Sequence, residues 1–239
     1  MLTDREPETA LNTPSSMGPG DLRLPAAVAI GGVLLFSVLA LALVAAGPSN
    51  SWDVELDAAL RSFRHPVLDE AMYVATYLCA WQVIVAGLIG ALAYLLVAGK
   101  RLAAAALFVS VVGDQVIVSA LKSFFDRARP DQLAALLPAA GPSFPSGHTF
   151  AAIAFYGVLT LIATEMIPSR ALRGVAAATA MLFVVAVGFS RIYLGAHWPS
   201  DVLGSWLLGT AWLAVIGILL KLARSRFPLA DRRVTARTD

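Results

Sequence analysis

The amino-acid sequence predicts an all-α membrane protein: six transmembrane helices in a bundle, both termini cytoplasmic, and a short amphipathic helix on the outer surface. Three observations carry that expectation. Hydrophobic residues fill 58% of the 239 positions and charged residues only 14%, against about half and about a quarter in an ordinary soluble domain. Six apolar stretches each approach the ~20 residues that cross a hydrocarbon core. Two of the connections are also short enough to force antiparallel neighbours, Lys100-Arg101 and "PSRALR" at 168–173.

Residues 1–25, rich in Pro, Ser, Thr and Gly, read as a disordered cytoplasmic tail. The first span, 26–46, reads as a retained helix rather than a secretory signal. Its apolar run exceeds the roughly 7–15 residues of a signal core, and its leader sets Asp4, Glu6, Glu8 and Asp21 against only Arg5 and Arg23. Next comes "WDVELDAALRSFRHP", which places Leu56, Leu60 and Phe63 on one helical face; such a segment lies along the outer membrane surface. His65, just before Pro66, reads as a helix-end or surface residue. The other spans are 78–98, 102–121, 147–167, 172–192 and 200–221, so a six-helix domain occupies 26–222 and a basic cytoplasmic tail follows at 223–239. Trp52, Trp81 and Trp198 fall near span ends, where interfacial belts form, while Trp206 and Trp212 are placed to pack. The single cysteine, Cys79, excludes an internal disulfide framework and reads as an inert apolar residue.

Lysine and arginine set the orientation. With the N-terminus inside, 12 of the 18 fall on the inner side and 6 on the outer, as the positive-inside rule favours. A net charge of +2, scattered along the chain, argues against nucleic acid as a partner. The alanine-rich spans suggest a bacterial source, hence the inner (cytoplasmic) membrane.

Three polar passages then reach the outer side together: "KSFFDRARP" at 122–130, "FPSGHTF" at 144–150, and "SRIYLGAHWPSD" at 190–201. Each alone has a plain explanation, such as cations snorkelling to headgroups or a serine capping a helix. Jointly their residue types describe a receptor for a phosphoryl group. Lys122, Arg129 and Arg191 supply fixed positive donors for charge that develops on the phosphoryl oxygens. Gly147 permits close backbone approach, and the start of the fourth span adds unpaired N–H groups, with Ser146 as a further donor. His197 and Asp201, four residues apart, can share a helix face, so that the carboxylate fixes the imidazole tautomer and frees the other nitrogen to attack phosphorus. His148 beside the cradle can protonate the leaving oxygen. No carboxylate cluster and no histidine pair at zinc spacing suggests a metal or other cofactor; three cations can take that part.

These residues resemble the signatures of the type 2 phosphatidic acid phosphatase (PAP2) superfamily of integral membrane lipid phosphatases. The three signatures read here as Lys122 to Arg129-Pro130, then Pro145-Ser146-Gly147-His148, then Ser190-Arg191 through His197 to Asp201, with no departure at any position. The resemblance implies that His197 is the nucleophile, through a phosphohistidine, and that Asp201 orients it. His148 would be the general acid and then the activator of water. Lys122, Arg129, Ser146, Gly147, Ser190 and Arg191 would hold the phosphate of a membrane lipid. It further implies metal-independent chemistry at the outer membrane boundary. Phosphatidic acid, phosphatidylglycerol phosphate and undecaprenyl diphosphate are the candidate substrates, and the oligomeric state stays open. The rival readings are a vanadate-dependent haloperoxidase-like enzyme, which the six spans disfavour, and a non-catalytic phosphate-binding membrane protein, which would need no nucleophile. At variable positions within the first signature, Asp126 and Arg127 are expected to pair together or shape substrate entry; outside the signatures, Asp114 is expected to make a buried hydrogen bond between helices, and "LAALL" at 133–137 to guide lipid tails or form a loop helix.

Overall fold

Apolar helices with glycine-punctuated ends account for the whole architecture. The computed structural model describes residues 19–47, 50–131 and 134–227, and these hold helices and connections without strands. Most of both predicted tails, and Leu133 of "LAALL", lie outside the described residues. A 3-10 turn at Pro19–Leu22 leads into α1 (Arg23–Ala46), which starts three residues before the expected boundary. Then follow α2 (Ser51–Arg61), α3 (Pro66–Tyr77), α4 (Trp81–Val97), α5 (Arg101–Phe125), α6 (Gly147–Ala152), a π turn at Ile153–Gly157, α7 (Val158–Met166), α8 (Arg170–Tyr193) and α9 (Pro199–Arg226).

Among the described residues, five helices or continuous helical runs are long and apolar enough to cross a membrane, and one bent pair makes a sixth candidate. The expected span 78–98 starts at a break: α3 and α4 meet at 45° and together pass as one candidate crossing, whose first half, from Pro66, lies before the predicted start. α9 likewise runs four residues beyond the predicted domain end at 222. Many large apolar side chains face outward, among them Leu34, Leu41, Val97 and Leu182, as lipid-facing positions require.

Tight turns set the antiparallel order. At the end of α4, Gly99 takes φ 72°, and the Lys100 and Gly99 amides donate back to the Leu95 and Leu96 carbonyls; this is a Schellman termination, which needs the left-handed residue glycine tolerates. α1 packs lengthwise on α9, where a Cβ on Gly32 would stand 2.8 Å from the Leu207 carbonyl oxygen and 2.9 Å from the Ala211 Cβ. Close backbone approach through small residues is how helices associate without a hydrophobic drive between them. Phe36 on α1 stacks on Phe144 at 5.5 Å, and Phe125 meets the same ring edge-on at 5.0 Å. The main core lies lower, around Leu107, Val158, Val187 and Ile216, with Trp206 and Trp212 packed against it as expected and Cys79 buried within it. Within the π turn the Ala154 carbonyl accepts from the Ser110 hydroxyl at 2.8 Å.

α2 has the predicted amphipathicity, with the polar face inward. Asp53 and Asp57 are 0% and 7% exposed, whereas Leu56 and Phe63 are 42% and 67% exposed. A helix laid along a bilayer turns its apolar side to lipid and its carboxylates to the protein. The expected role of Asp114 is corrected: its Oδ2 accepts from Gln115, its neighbour on the same helix, at 2.9 Å, and its Oδ1 has no hydrogen-bond partner among the described residues.

Candidate active site

The end of α5, the start of α6, the end of α8 and the start of α9 come together at one end of the bundle. The chain turn between α8 and α9 makes this possible. Gly195 takes φ 77°, the Gly195 and Ala196 amides donate back to Ile192 and Arg191, and the His197 amide also donates to the Arg191 carbonyl at 3.1 Å. Arg191 and His197 are thereby folded onto each other by a second Schellman turn.

Asp201 ties the next helix to the same point. Pro199 opens α9 with a fixed φ suited to a first turn. Asp201 Oδ2 accepts from the Trp198 backbone N–H at 2.9 Å and from His197 Nδ1 at 3.3 Å. It caps the helix and holds the imidazole with one oxygen. On the other side of the ring, Arg129 Nη1 lies 3.3 Å from His197 Nε2. A guanidinium only donates and a carboxylate only accepts, so one tautomer satisfies both contacts: proton on Nδ1, lone pair on Nε2. Burial holds the His197 pKa well below the ordinary histidine value, and Arg191, Arg129 and Lys122 push it the same way. The ring is neutral, with the basic nitrogen toward the cations.

The other signature residues gather around it. His148, half-buried at the start of α6, feels the charges of Arg191, His197, Arg129 and Lys122. Arg129 also donates to the carbonyls of Gly141 at 2.8 Å and Ala196 at 2.6 Å, and Lys122 to that of Pro142, so the loop 139–143 is strapped to the site by its cations. Arg191 is 3% exposed and donates to Thr76 on α3 at 2.7 Å. Ser146 occupies the N-cap position without a side-chain capping bond; its hydroxyl instead accepts from Thr149 at 3.0 Å. The Ser190 hydroxyl donates to the Val187 carbonyl of its own helix at 2.6 Å.

The chain belongs to the PAP2 superfamily. That family's model matches residues 103–224, about half of the chain. Phosphatidylglycerophosphatase B of Bacillus subtilis is 29% identical over 178 residues, covering 74% of this chain and 87% of that protein. A lipid A 1-phosphatase of Rhizobium johnstonii is 32% identical over 143 residues, 53% of this chain and 54% of that one. The crystal structure of the transmembrane PAP2-type phosphatidylglycerolphosphate phosphatase from Bacillus subtilis superposes with a TM-score of 0.75 at 27% identity, covering 82% of this chain and 97% of that one. A PAP2 membrane phosphatase fold and a phosphatase family are thus established, which removes the non-catalytic reading.

One element of this PAP2 site escaped the sequence. Arg127 does not pair with Asp126, which instead ends α5 in the left-handed region at φ 39°. It pairs with Asp201 at 2.6 Å and with Asp53 of α2 at 2.7 Å. No local pattern could have shown this pairing, because Arg127 and the Asp53 carboxylate of α2 lie 74 residues apart. The described part of "LAALL", 134–137, is not helical; Leu137 and Leu136 are fastened to Leu194 and Tyr73 by hydrogen bonds of 3.1 and 2.7 Å. His65 caps α3, its Nδ1 accepting from Val67 at 3.3 Å.

Proposed function

We propose that this protein hydrolyses a phosphomonoester or diphosphate of a membrane lipid through a phosphohistidine on His197, without a metal ion, at the outer face of the cytoplasmic membrane. The observation that carries the proposal is the placement of His197, whose Nδ1 lies 3.3 Å from Asp201 and whose Nε2 lies 3.3 Å from Arg129, contacts that a neutral ring protonated on Nδ1 satisfies together.

In the first step Nε2 attacks phosphorus as the bond from phosphorus to the lipid oxygen breaks, and His148 gives its proton to that oxygen. The incoming phosphate brings the negative charge against which His148 holds its proton among so many cations. Lys122, Arg129 and Arg191, with Ser146 and the Gly147 amide, bear on the non-bridging oxygens, supplying positive charge where it develops in the transition state. Ser190 joins them by releasing the Val187 carbonyl. In the second step His148 takes a proton from water, water attacks the phosphohistidine, and inorganic phosphate leaves.

A lipid substrate is supported by the setting. An apolar cavity of about 540 Å³ opens between α7, α8 and α9, lined by residues such as Met181, Val184 and Leu213, a surface chemically suited to an acyl or prenyl chain. Phosphatidylglycerol phosphate is the first candidate, because the relative matched over most of this chain is named for that substrate. The 12-to-6 division of lysine and arginine supports the outward placement of the site and cytoplasmic termini.

The test is phosphate release by the purified protein from phosphatidylglycerol phosphate, phosphatidic acid and undecaprenyl diphosphate in mixed micelles. His197→Ala abolishes release while preserving the melting profile, and an acid-labile phosphoryl label accumulates on the wild-type chain but not on the variant. Equal rates in the two proteins would refute the proposal.

A further inference from the structure

The carboxylate that orients His197 is gripped from behind by two residues at no defining signature position: Arg127, at a variable place within the first signature, and Asp53, outside all three. Arg127 and Asp53 are 9% and 0% exposed. Arg127 Nη1 donates to Asp201 Oδ1 and to Ser200 Oγ, each at 2.6 Å, while Nη2 donates to Asp53 Oδ2 at 2.7 Å. Ser200 closes the ring, its amide donating to Asp53 Oδ1 at 2.9 Å and its hydroxyl to Asp53 Oδ2 at 2.5 Å. The Trp198 ring lies 5.8 Å from the guanidinium carbon. Three separate segments meet here: α2, the loop after α5, and the first turn of α9.

We propose that Arg127 and Asp53 are a positioning pair for the phosphatase reaction: Arg127 keeps the Asp201 carboxylate ionised and facing His197, and Asp53 both anchors and tempers the guanidinium charge. This rests on His197 being the nucleophile. The charge arithmetic is simple. Two buried carboxylates share one guanidinium between them. Without Arg127 they would face each other across Ser200 with no guanidinium between them, and burial favours the uptake of a proton by one of the two. A protonated Asp201 no longer holds the His197 Nδ1–H, and the tautomer with a free Nε2 loses its support. Removing Asp53 as well leaves a single carboxylate near the site's cations, which can stay ionised. A residue that merely fills space would behave otherwise: a second deletion would add to the damage.

The experiment is a charge cycle of wild type, R127M, D53N and the double variant, with R127K and H197A beside them, all as full-length protein in mixed micelles. R127M lowers kcat about 10²-fold with KM changed less than about threefold, because the pair acts on the nucleophile and touches no substrate. R127K recovers part of that loss, since lysine restores the charge without the two-pronged geometry. The double variant recovers at least about tenfold over R127M. Wild-type kcat in R127M, or a double variant slower than R127M, overturns the proposal. Should R127M fail to fold, R127K and D53N carry the test: each lowers kcat at constant KM, and a raised KM with intact kcat overturns it. Activity in H197A sinks the nucleophile reading beneath this one; an inactive H197A with a fully active R127M sinks only this proposal.

Discussion

Replacing Asp201 with asparagine keeps the side-chain shape and removes a charge that three close donors share, with the Ser143 hydroxyl a fourth at 3.5 Å. Arg127 Nη1 approaches Oδ1 at 2.6 Å, and the Trp198 amide and His197 Nδ1 approach Oδ2 at 2.9 and 3.3 Å. No orientation of the amide satisfies all three. With its NH₂ in the Oδ2 position it opposes the Trp198 N–H and donates to His197 Nδ1, driving the ring proton to Nε2, the atom that must attack. With NH₂ at Oδ1 it opposes the Arg127 guanidinium. The first orientation loses two hydrogen bonds to a charged group and the second loses one, at about 1.5–3 kcal/mol each. The loss, about 1.5–6 kcal/mol, corresponds to a fall of about 10–10⁴ in the rate of phosphoryl transfer. KM changes little, since Asp201 does not touch substrate. Rapid-quench single turnover in mixed micelles measures the step, with the melting curve as control for folding. A rate within tenfold of wild type would refute the assigned tautomer.

The depressed His197 pKa makes the fold acid-sensitive: the unfolded chain binds a proton there near pH ~6.5 and the folded one does not, so stability is lost as pH falls below about 6.5. Melting temperature in detergent therefore drops more steeply toward acid in wild type than in His197→Gln, and equal slopes would contradict a neutral buried ring. Gly195→Ala forces a left-handed alanine at φ 77° and brings its Cβ within 3.0 Å of the Ala135 Cα; destabilisation of about 2–4 kcal/mol, read from denaturant melts, is expected together with reduced kcat. Orthovanadate inhibits phosphate release because its trigonal bipyramid imitates the transferring group. EDTA leaves the rate unchanged, and a magnesium requirement would overturn the metal-free mechanism.

Much of the site was readable because its parts are local. His197 and Asp201 stand four residues apart at a helix start, and the helix period alone brings them to one contact. The three signature passages each adjoin a span end, so the hydropathy that defined the spans also delivered them to one face of the bundle. The second crossing was less legible: residues 66–77 mix Asp69, Glu70 and Thr76 with apolar positions, and a hydropathy reading starts only where that polarity ends. Two of those polar groups are satisfied from α8, where Tyr193 donates to Asp69 at 2.6 Å and Arg191 to Thr76, pairings across more than a hundred residues.

By itself, then, the sequence determined the helical membrane class, the family, and the signature residues that gather at one end. Periodicity and hydropathy act over neighbouring residues, and these features depend on nothing more distant. Only the tertiary structure decided that α2 turns its carboxylates inward, that Asp114 bonds along its own helix, and that Arg127 spans from Asp201 to an aspartate 74 residues earlier. Such pairings are chosen by which helix faces meet when lipid claims the apolar side, and buried charges then take whatever opposite partner that meeting leaves within reach.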